Sequence, residues 1–254
     1  MERLASDAIA LRLQSVRKTF PGGVEAVAGV SLDIKAGEFL AILGPSGCGK
    51  STLLRLIAGL DSPTGGSVEL SDELERGRIA YVFQDAHLLP WRNVLRNVAL
   101  PLELLGIPKQ KRLASAREAL ERVGLGDALR RYPAQLSGGM KMRVSLARAM
   151  VVEPRILLMD EPFAALDEIT RQALDEQLRN LWLKERMTVL FVTHSTAEAA
   201  FLADRAVVLT RRPGRVVTDI AVDLPVERTG PLRATAQFAG VIRLLYEALT
   251  KGGA

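Results

Sequence analysis

Three features of the sequence predict an α/β fold with an antiparallel β subdomain and an inserted all-helical subdomain. A glycine-rich loop at 44–52 stands between a strand-like stretch and a helix-like stretch. Strand and helix patterns alternate up to residue 84 and again from residue 154. Residues 85–153 show only helical patterns, so we expect these helices to be inserted between two halves of one core.

Length and composition fit one large globular domain. The chain has 254 residues, 48% of them hydrophobic, and 34 basic against 29 acidic side chains give a net charge of +5. The basic residues are scattered along the chain, so this charge is weak evidence for nucleic-acid binding. No apolar run approaches the roughly 18 residues that span a bilayer, and residues 1–7 lack the order of a signal peptide. We therefore expect a cytosolic chain that reaches a membrane only through a partner.

The first part of the chain is predicted to be an antiparallel β region followed by the start of the core. Apolar residues alternate from about Ile9 to Lys35, on both sides of a turn at 21–23. Four more elements are expected before the insertion: the strand Glu38–Leu43, the helix Thr52–Gly59, and the strands Ser67–Leu70 and Arg78–Phe83.

Two helices are predicted inside the insertion, and alternation resumes after it. The expected elements are a helix carrying Leu113 to Val123, a helix from Ser137 to Val152, the strand Arg155–Met159, a helix carrying Leu174 to Trp182, the strand Thr188–Thr193 and an amphipathic helix carrying Phe238 to Leu249. These patterns divide one domain into a core with its β subdomain (1–84 and 154–225), a helical subdomain (85–153) and a C-terminal helical tail (226–254).

The glycine loop fits the pattern G-x-x-x-x-G-K-S/T and has the flanking strand and helix that the pattern requires. Its residues are Gly44, Pro45, Ser46, Gly47, Cys48, Gly49, Lys50, Ser51 and Thr52. Glycines let backbone N–H groups turn toward phosphate oxygens, and the helix N-terminus adds partial positive charge. We expect Lys50 to reach the β- and γ-phosphates and Ser51 to ligate Mg²⁺. The loop therefore predicts binding of a nucleoside triphosphate.

Cys48 is the only cysteine, so the chain has no internal disulfide. Because it lies beside a helix N-terminus and Lys50, we expect a lowered thiol pKa. Alkylation of this thiol is predicted to block nucleotide hydrolysis, mainly by its bulk.

Two acidic residues follow the apolar strand that resumes the core. Asp160 and Glu161 stand at its carboxyl end, where α/β sheets bind ligands. We expect Asp160 to hold Mg²⁺ through water and Glu161 to orient or deprotonate the attacking water. After a phosphate-binding loop, this pair indicates nucleotide hydrolysis.

A third motif, Leu136-Ser137-Gly138-Gly139-Met140, opens the second helix of the insertion. A serine and two glycines at a helix N-terminus form an anion site that a phosphate can approach closely, whereas a simple N-cap explains only the serine. With this motif the chain resembles the ATP-binding subunits of ABC transporters, from about residue 11 to residue 215. The resemblance implies the ABC ATPase architecture, a P-loop NTPase core with both subdomains. It also implies that Ser137, Gly138 and Gly139 contact the γ-phosphate of ATP held by a second copy of the chain.

Four further residues match positions of this family in the expected order. The resemblance implies that Gln84 contacts metal and water, that His194 contacts the γ-phosphate, and that Asp167 lies across the dimer interface. It also implies that Phe20 stacks on adenine, with a place in the core of the β region as the alternative. ATP and Mg²⁺ are the implied cofactors.

Met140 replaces the glutamine that is usual in the family motif, and Met142 stands where glutamine is also common. Neither side chain forms the backbone anion site, so we expect hydrolysis to survive. Together with residues 83–94, Met140 makes the chain resemble the ATPases of bacterial nitrate, sulfonate and taurine importers. Leu88, Leu89 and Trp91 suit either an anchor for a membrane subunit or packing within the insertion. Residues 211–225 are also similar to this group, without an assigned role.

The implied partners are a second copy of the chain in a head-to-tail dimer and transmembrane permease subunits at the cytoplasmic face of the inner membrane. A periplasmic solute-binding protein would deliver the solute, and no nucleic acid is expected. One alternative is a soluble ABC ATPase acting on ribosomes or nucleic acid, which usually carries two cassettes or a long coiled coil. The other is a small-molecule kinase, which has no use for residues 136–140 or His194.

Overall fold

The computed structural model describes residues 8–71 and 79–252. In chain order the strands are β1 (Ile9–Phe20), β2 (Val24–Lys35), β3 (Phe39–Leu43), β4 (Gly65–Leu70), β5 (Ile79–Val82), β6 (Ile156–Asp160), β7 (Thr188–Thr193), β8 (Arg205–Leu209) and β9 (Val216–Ala221). The helices are α1 (Lys50–Ile57), α2 (Val94–Val98), α3 (Leu100–Leu104), α4 (Lys109–Arg122), α5 (Gly138–Met150), α6 (Glu168–Glu185), α7 (Thr196–Leu202) and α8 (Ala236–Gly252). The expectation for residues 1–7 and the predicted strand start at Arg78 fall outside the described residues.

The larger sheet brings the ends of β3, β6 and β7 to one edge. Its order is β5-β6-β7-β3-β8-β9, parallel throughout except for β9, which pairs antiparallel with β8. β3 is buried along its whole length, and Leu43 lies level with Thr193 of β7. Because residues that follow parallel strands meet at the carboxyl edge, the glycine loop, Asp160 and His194 come together there.

The smaller sheet is antiparallel with the order β2-β1-β4, as the alternating pattern predicts. Leu11, Leu13 and Val16 of β1 are buried, and they share a core with Leu53 and Leu54 of α1. This packing fixes the β1–β2 hairpin beside the glycine loop.

Helices α2 to α5 lie between β5 and β6 in the chain with no strand among them, which confirms the predicted helical insertion. Asn97 of α2 is fully buried, and its Oδ1 accepts from the Leu89 backbone N–H at 2.7 Å. Arg148 of α5 donates to the Ala86 carbonyl at 2.6 Å. These bonds hold the segment that follows β5 against the helices.

The sequence pattern did not predict α7, β8 or β9. β8 is a short strand with Ala206 to Leu209 buried, a run that is difficult to separate from a buried helix by pattern alone. β9 is an edge strand in which exposed residues alternate with half-buried ones. The amphipathic helix predicted near the C-terminus is α8, with Phe238 and Leu245 buried.

None of the helices that the structure describes has the length and apolar composition that spanning a membrane requires.

Candidate active site

The glycine loop leaves β3 and ends in α1, at the carboxyl edge of the larger sheet. Gly47 and Gly49 have φ angles of 74° and 108°, in the left-handed region that glycine adopts without strain. A Cβ on Gly49 would lie 2.4 Å from the Ala26 carbonyl oxygen, and one on Gly44 would lie 2.7 Å from Cys48 Sγ. Backbone conformation therefore favours glycine at position 47, limited space favours it at position 44, and both require it at position 49.

Lys50 begins α1 and is only 4% exposed. Its Nζ donates to the carbonyl oxygens of Gly44 at 2.8 Å and Pro45 at 3.1 Å. The same atom lies 3.4 Å from Glu161 Oε1. Since a buried ammonium needs polar partners, these contacts fix its charge beside the loop, where an incoming anion would meet it.

Ser51 and Asp160 place oxygen atoms side by side next to Lys50. Ser51 Oγ donates to Asp160 Oδ1 at 2.8 Å, and the Tyr81 hydroxyl donates to Asp160 Oδ2 at 3.1 Å. Burial raises the pKa of Asp160, and the two hydroxyl groups act against that rise. Burial and the Asp160 carboxylate also raise the pKa of Tyr81, which keeps its hydroxyl a donor.

The chemistry of these groups fits Mg²⁺ held jointly with phosphate. Mg²⁺ prefers hard oxygen ligands and usually takes one or two from protein, with phosphates and waters completing its shell. Among the described residues no cluster of three acidic, histidine or cysteine side chains is arranged to hold a metal by itself. Ser51 and Asp160 supply the hydroxyl and carboxylate oxygens that the shared arrangement needs.

Glu161 stands between a lysine and a histidine. It has a φ angle of 44°, unusual for a residue with a side chain, and its backbone N–H donates to the Val192 carbonyl at 3.0 Å. Its Oε2 lies 3.1 Å from His194 Nδ1, and its Oε1 faces Lys50 Nζ. Because this side chain is 20% exposed, water can reach a carboxylate that is able to orient it or take its proton.

A cavity of about 420 Å³, the loop cavity, opens beside the glycine loop. The predicted site residues that line it are Phe20, Ser46, Gly47, Gly49, Lys50, Ser51, Thr52, Gln84 and Glu161. Phe20 is 36% exposed, so its ring is not a core aromatic, the alternative that the sequence left open. Asp160 and His194 lie outside the lining but contact Ser51 and Glu161.

The structure does not bring the remaining predicted residues to the loop cavity. Ser137 caps α5, where its Oγ accepts from the Met140 N–H at 3.3 Å, and Gly138 is exposed beside it. Asp167 caps α6 by accepting from the Thr170 N–H at 2.9 Å, and such bonds lower the pKa of its carboxyl. Neither Asp167 nor the segment Ser137–Gly139 lines the loop cavity of the same chain.

The expectation of a lowered Cys48 pKa is wrong. The Cys48 side chain is 1% exposed, and burial raises the pKa of its thiol. The positive charge of Lys50 acts in the other direction but is outweighed, because a thiolate loses more by leaving water than it gains from the neighbour.

Two residues at the site were not found from the sequence. Tyr81 bonds to Asp160, and a tyrosine on a strand adjacent to β6 is the only signal that could have indicated it. Arg212 lines the loop cavity and donates to the Gly47 carbonyl, although 165 positions separate the two residues. No local pattern predicts a contact over that distance.

Known proteins show which family shares these features. A family model described as ABC transporter matches residues 27–164. An uncharacterized ABC transporter ATP-binding protein of Methanocaldococcus jannaschii is 48% identical over 229 residues, which cover 87% of this chain and 86% of that protein. An aliphatic sulfonates import ATP-binding protein of Rhodopseudomonas palustris is 44% identical over 248 residues, which cover 97% of this chain and 85% of that protein.

A solved structure agrees at the level of the fold. It is a dimeric ATP-binding cassette in a post-hydrolysis state, bound to ADP and Pi. It superposes with a TM-score of 0.73 at 34% identity, covering 85% of this chain and 100% of that chain.

Proposed function

This chain belongs to the ABC transporter family and is one of its ATPases, and on that premise we propose that it powers a bacterial importer of an aliphatic sulfonate or a similar small solute. The observation that carries the proposal is the 44% identity, over 97% of this chain, to an aliphatic sulfonates import protein. Met140 and residues 83–94 support the same group. Nitrate and taurine remain within the proposal as solutes of the same kind.

We assign ATP to the loop cavity on the positions of five residues. Lys50 supplies a fixed positive charge for the β- and γ-phosphates, and Phe20 offers an exposed ring for the base. Ser51 and Asp160 would hold Mg²⁺, with Gln84 at the rim of the cavity. Bound there, Mg²⁺ would neutralise charge on the phosphates.

Glu161 is our proposed catalytic base. Its carboxylate lies between Lys50 and His194, so it is positioned where the terminal phosphate and an attacking water would meet. His194 holds one oxygen of this carboxylate and is free to contact the γ-phosphate with its other ring nitrogen. The chain thus supplies phosphate binding, the metal ligands and the base from one edge of its sheet.

Complete sites are proposed to form between two copies of the chain. The segment Ser137–Gly139 is a capped helix N-terminus with an exposed serine and glycine, which suits a phosphate held by another molecule. The 34%-identical cassette was solved as a dimer, which supports this arrangement. Asp167, exposed at the start of α6, would lie in the same interface.

The permease subunits are proposed to bind the surface that follows Gln84. Trp91 is 71% exposed there, and Leu104 and Leu105 are 80% and 67% exposed at the end of α3. Leu88 instead packs against the core and Leu89 is half-buried, so of the three residues named from the sequence Trp91 is the one that suits an anchor. Large exposed apolar side chains favour a protein partner. The chain would then work at the cytoplasmic face of the inner membrane.

Uptake and co-purification test the proposal together. Cells that carry the wild-type chain should accumulate a radiolabelled alkanesulfonate, and cells that carry Glu161→Gln should not, while uptake of an unrelated amino acid stays equal.

Tagged wild-type chain purified from native membranes in mild detergent should bring a polytopic membrane protein, and Trp91→Asp should bring less of it. Recovery of ribosomal proteins or nucleic acid in its place would overturn the importer. Equal sulfonate uptake by the wild-type and Glu161→Gln strains would show that the chain does not power sulfonate import.

A further inference from the structure

The segment 210–215 follows β8, the strand next to β3, and reaches the loop cavity from there. Arg212 Nε donates to the Gly47 carbonyl oxygen at 3.0 Å, and its side chain lines the loop cavity. Phe20 and Val24 line the same cavity from the β1–β2 hairpin, while Lys50 lines it from α1. Arg212 therefore lies beside the middle of the glycine loop, within a cavity that several other parts of the chain also line.

The backbone that carries Arg212 is firmly anchored. The Gly214 N–H donates to the Ala26 carbonyl at 2.9 Å, and the Ala28 N–H donates to the Gly214 carbonyl at 3.0 Å. A Cβ on Gly214 would lie 2.4 Å from the Cys48 carbonyl oxygen, so only glycine allows this close approach. Thr210 Oγ1 donates to the Pro213 carbonyl at 2.8 Å and accepts from the Arg215 backbone N–H at 3.0 Å. These two bonds close the loop that carries Arg212.

The guanidinium of Arg212 has bonding capacity left over. Only its Nε has a hydrogen-bond acceptor within the part of the chain that the structure describes, and no described carboxylate forms an ion pair with it. Other arginines of the core, such as Arg179 and Arg205, are paired with aspartates. A guanidinium carries five donors in a planar fork that suits phosphate oxygens, so the two terminal nitrogens of Arg212 are available to a phosphate.

We infer that Arg212 binds the phosphates of the nucleotide that are not transferred, an inference that rests on the proposed ATP site. It bonds to Gly47, in the middle of the glycine loop, and shares the cavity with Phe20, Lys50 and Glu161. A cation there meets the α- and β-phosphates, which ATP and ADP share. Arg212 is thus a binding residue for both nucleotides, contributed by a segment outside the three sequence motifs.

The test compares Arg212→Ala with wild-type chain for binding of adenosine, ADP and ATP in the presence of Mg²⁺, by competition with a fluorescent ADP analogue. We expect the dissociation constants of ADP and ATP to rise about 10-fold, as loss of a charge-assisted hydrogen bond predicts, and that of adenosine to stay unchanged. The rise should shrink with added salt. Unchanged ADP affinity, or an equal loss for adenosine, would overturn the inference.

Two further variants separate phosphate binding from support of the loop. Arg212→Gln keeps an N–H donor for the Gly47 carbonyl but loses the charge, so it should bind ADP as weakly as Arg212→Ala. Full recovery in Arg212→Gln would show that the residue only positions the loop and would overturn the phosphate contact. Arg215→Ala is the matched control, because Arg215 is exposed in the same segment and does not line the loop cavity. A wild-type chain that binds no ADP would instead refute the proposed site itself.

Discussion

The loop cavity and the segment Ser137–Gly139 are both proposed to bind phosphate, but only the cavity gathers several of its predicted binding residues within one chain. At the cavity, an ion contact joins Lys50 to Glu161, and a hydrogen bond joins the next residue, Ser51, to Asp160. At the other segment the Ser137 hydroxyl caps its own helix, and a Cβ added to Gly139 would lie 2.6 Å from Thr170 Cγ2 of α6.

The difference separates nucleotide binding from hydrolysis. A fixed ammonium and paired oxygens lie ready in a single molecule, so binding should be a property of each chain. The exposed N-terminus of α5 does not line the loop cavity of its own chain. We therefore expect it to bind phosphate only when a second molecule presents one. The predictions below test this division.

The largest effect is expected from Glu161→Gln, which removes the carboxylate charge and keeps the shape of the side chain. Turnover should fall by about 10²–10⁴-fold, the usual contribution of a general base, while ATP binding remains. A dimer should then accumulate with ATP and Mg²⁺ and be visible by size-exclusion chromatography. Glu185→Gln, on the far end of α6, is the control and should keep normal turnover. Wild-type turnover by Glu161→Gln would show that another residue is the base.

Ser137→Arg should leave ATP binding by the monomer unchanged and reduce turnover by about 100-fold or more, since the arginine would fill the space of a partner's phosphate. Ser137→Ala separates bulk from loss of the helix cap, which costs about 1 kcal/mol of stability. Fluorescent nucleotide binding and phosphate release measure the two properties.

Mixed dimers test the same point more sharply. A dimer of one Ser137→Arg chain with one Lys50→Ala chain contains one undamaged site if each site uses the glycine loop of one copy and Ser137 of the other. Such a mixture should recover turnover that neither variant has alone. No recovery, or normal turnover by monomeric Ser137→Arg, contradicts sites shared between chains.

Lys50→Ala should weaken ATP binding itself by about 10–100-fold, because it removes a charge-assisted contact to the phosphates. The effect should appear in a monomer and should be similar with or without a partner chain. Isothermal titration with ADP and ATP measures it. If binding stays intact and only turnover falls, then the loop cavity is not complete within one chain, and our comparison fails.

The smallest effect on function is expected at Asp175, a buried residue of α6 whose substitution changes the stability of the fold. Burial and the Glu198 carboxylate raise the pKa of Asp175 to about 7, against the nearby charges of Arg233 and Arg171. The folded chain therefore binds more protons than the unfolded chain between about pH 4 and pH 7, and the free energy of unfolding falls as pH rises through that range. In wild-type chain Asp175 lowers the free energy of unfolding by up to about 1.4 kcal/mol per pH unit, and Asp175→Asn should abolish this contribution. Urea unfolding of both proteins at pH 5 and pH 7 measures it. An equal change in the free energy of unfolding between the two pH values in wild type and Asp175→Asn would contradict the prediction.

Much of the fold followed from short-range patterns. The order of strands and helices around the glycine loop, the helical insertion and the amphipathic C-terminal helix all agree with the structure, because hydrophobic periodicity is a local property of the chain. The helix and strands between His194 and Ala221 were missed, since short buried runs do not reveal their type.

For the site, the sequence by itself determined which residue types stand at the ends of β3, β6 and β7, because a phosphate loop and two acids after a strand are local motifs. Tertiary structure alone decided that Tyr81 bonds to Asp160 and that Arg212 reaches Gly47. It also decided that the Cys48 thiol has a raised pKa and that Ser137 lies away from the loop cavity. The physical reason is that desolvation and long-range contacts depend on how distant segments pack, and no stretch of sequence contains that information by itself.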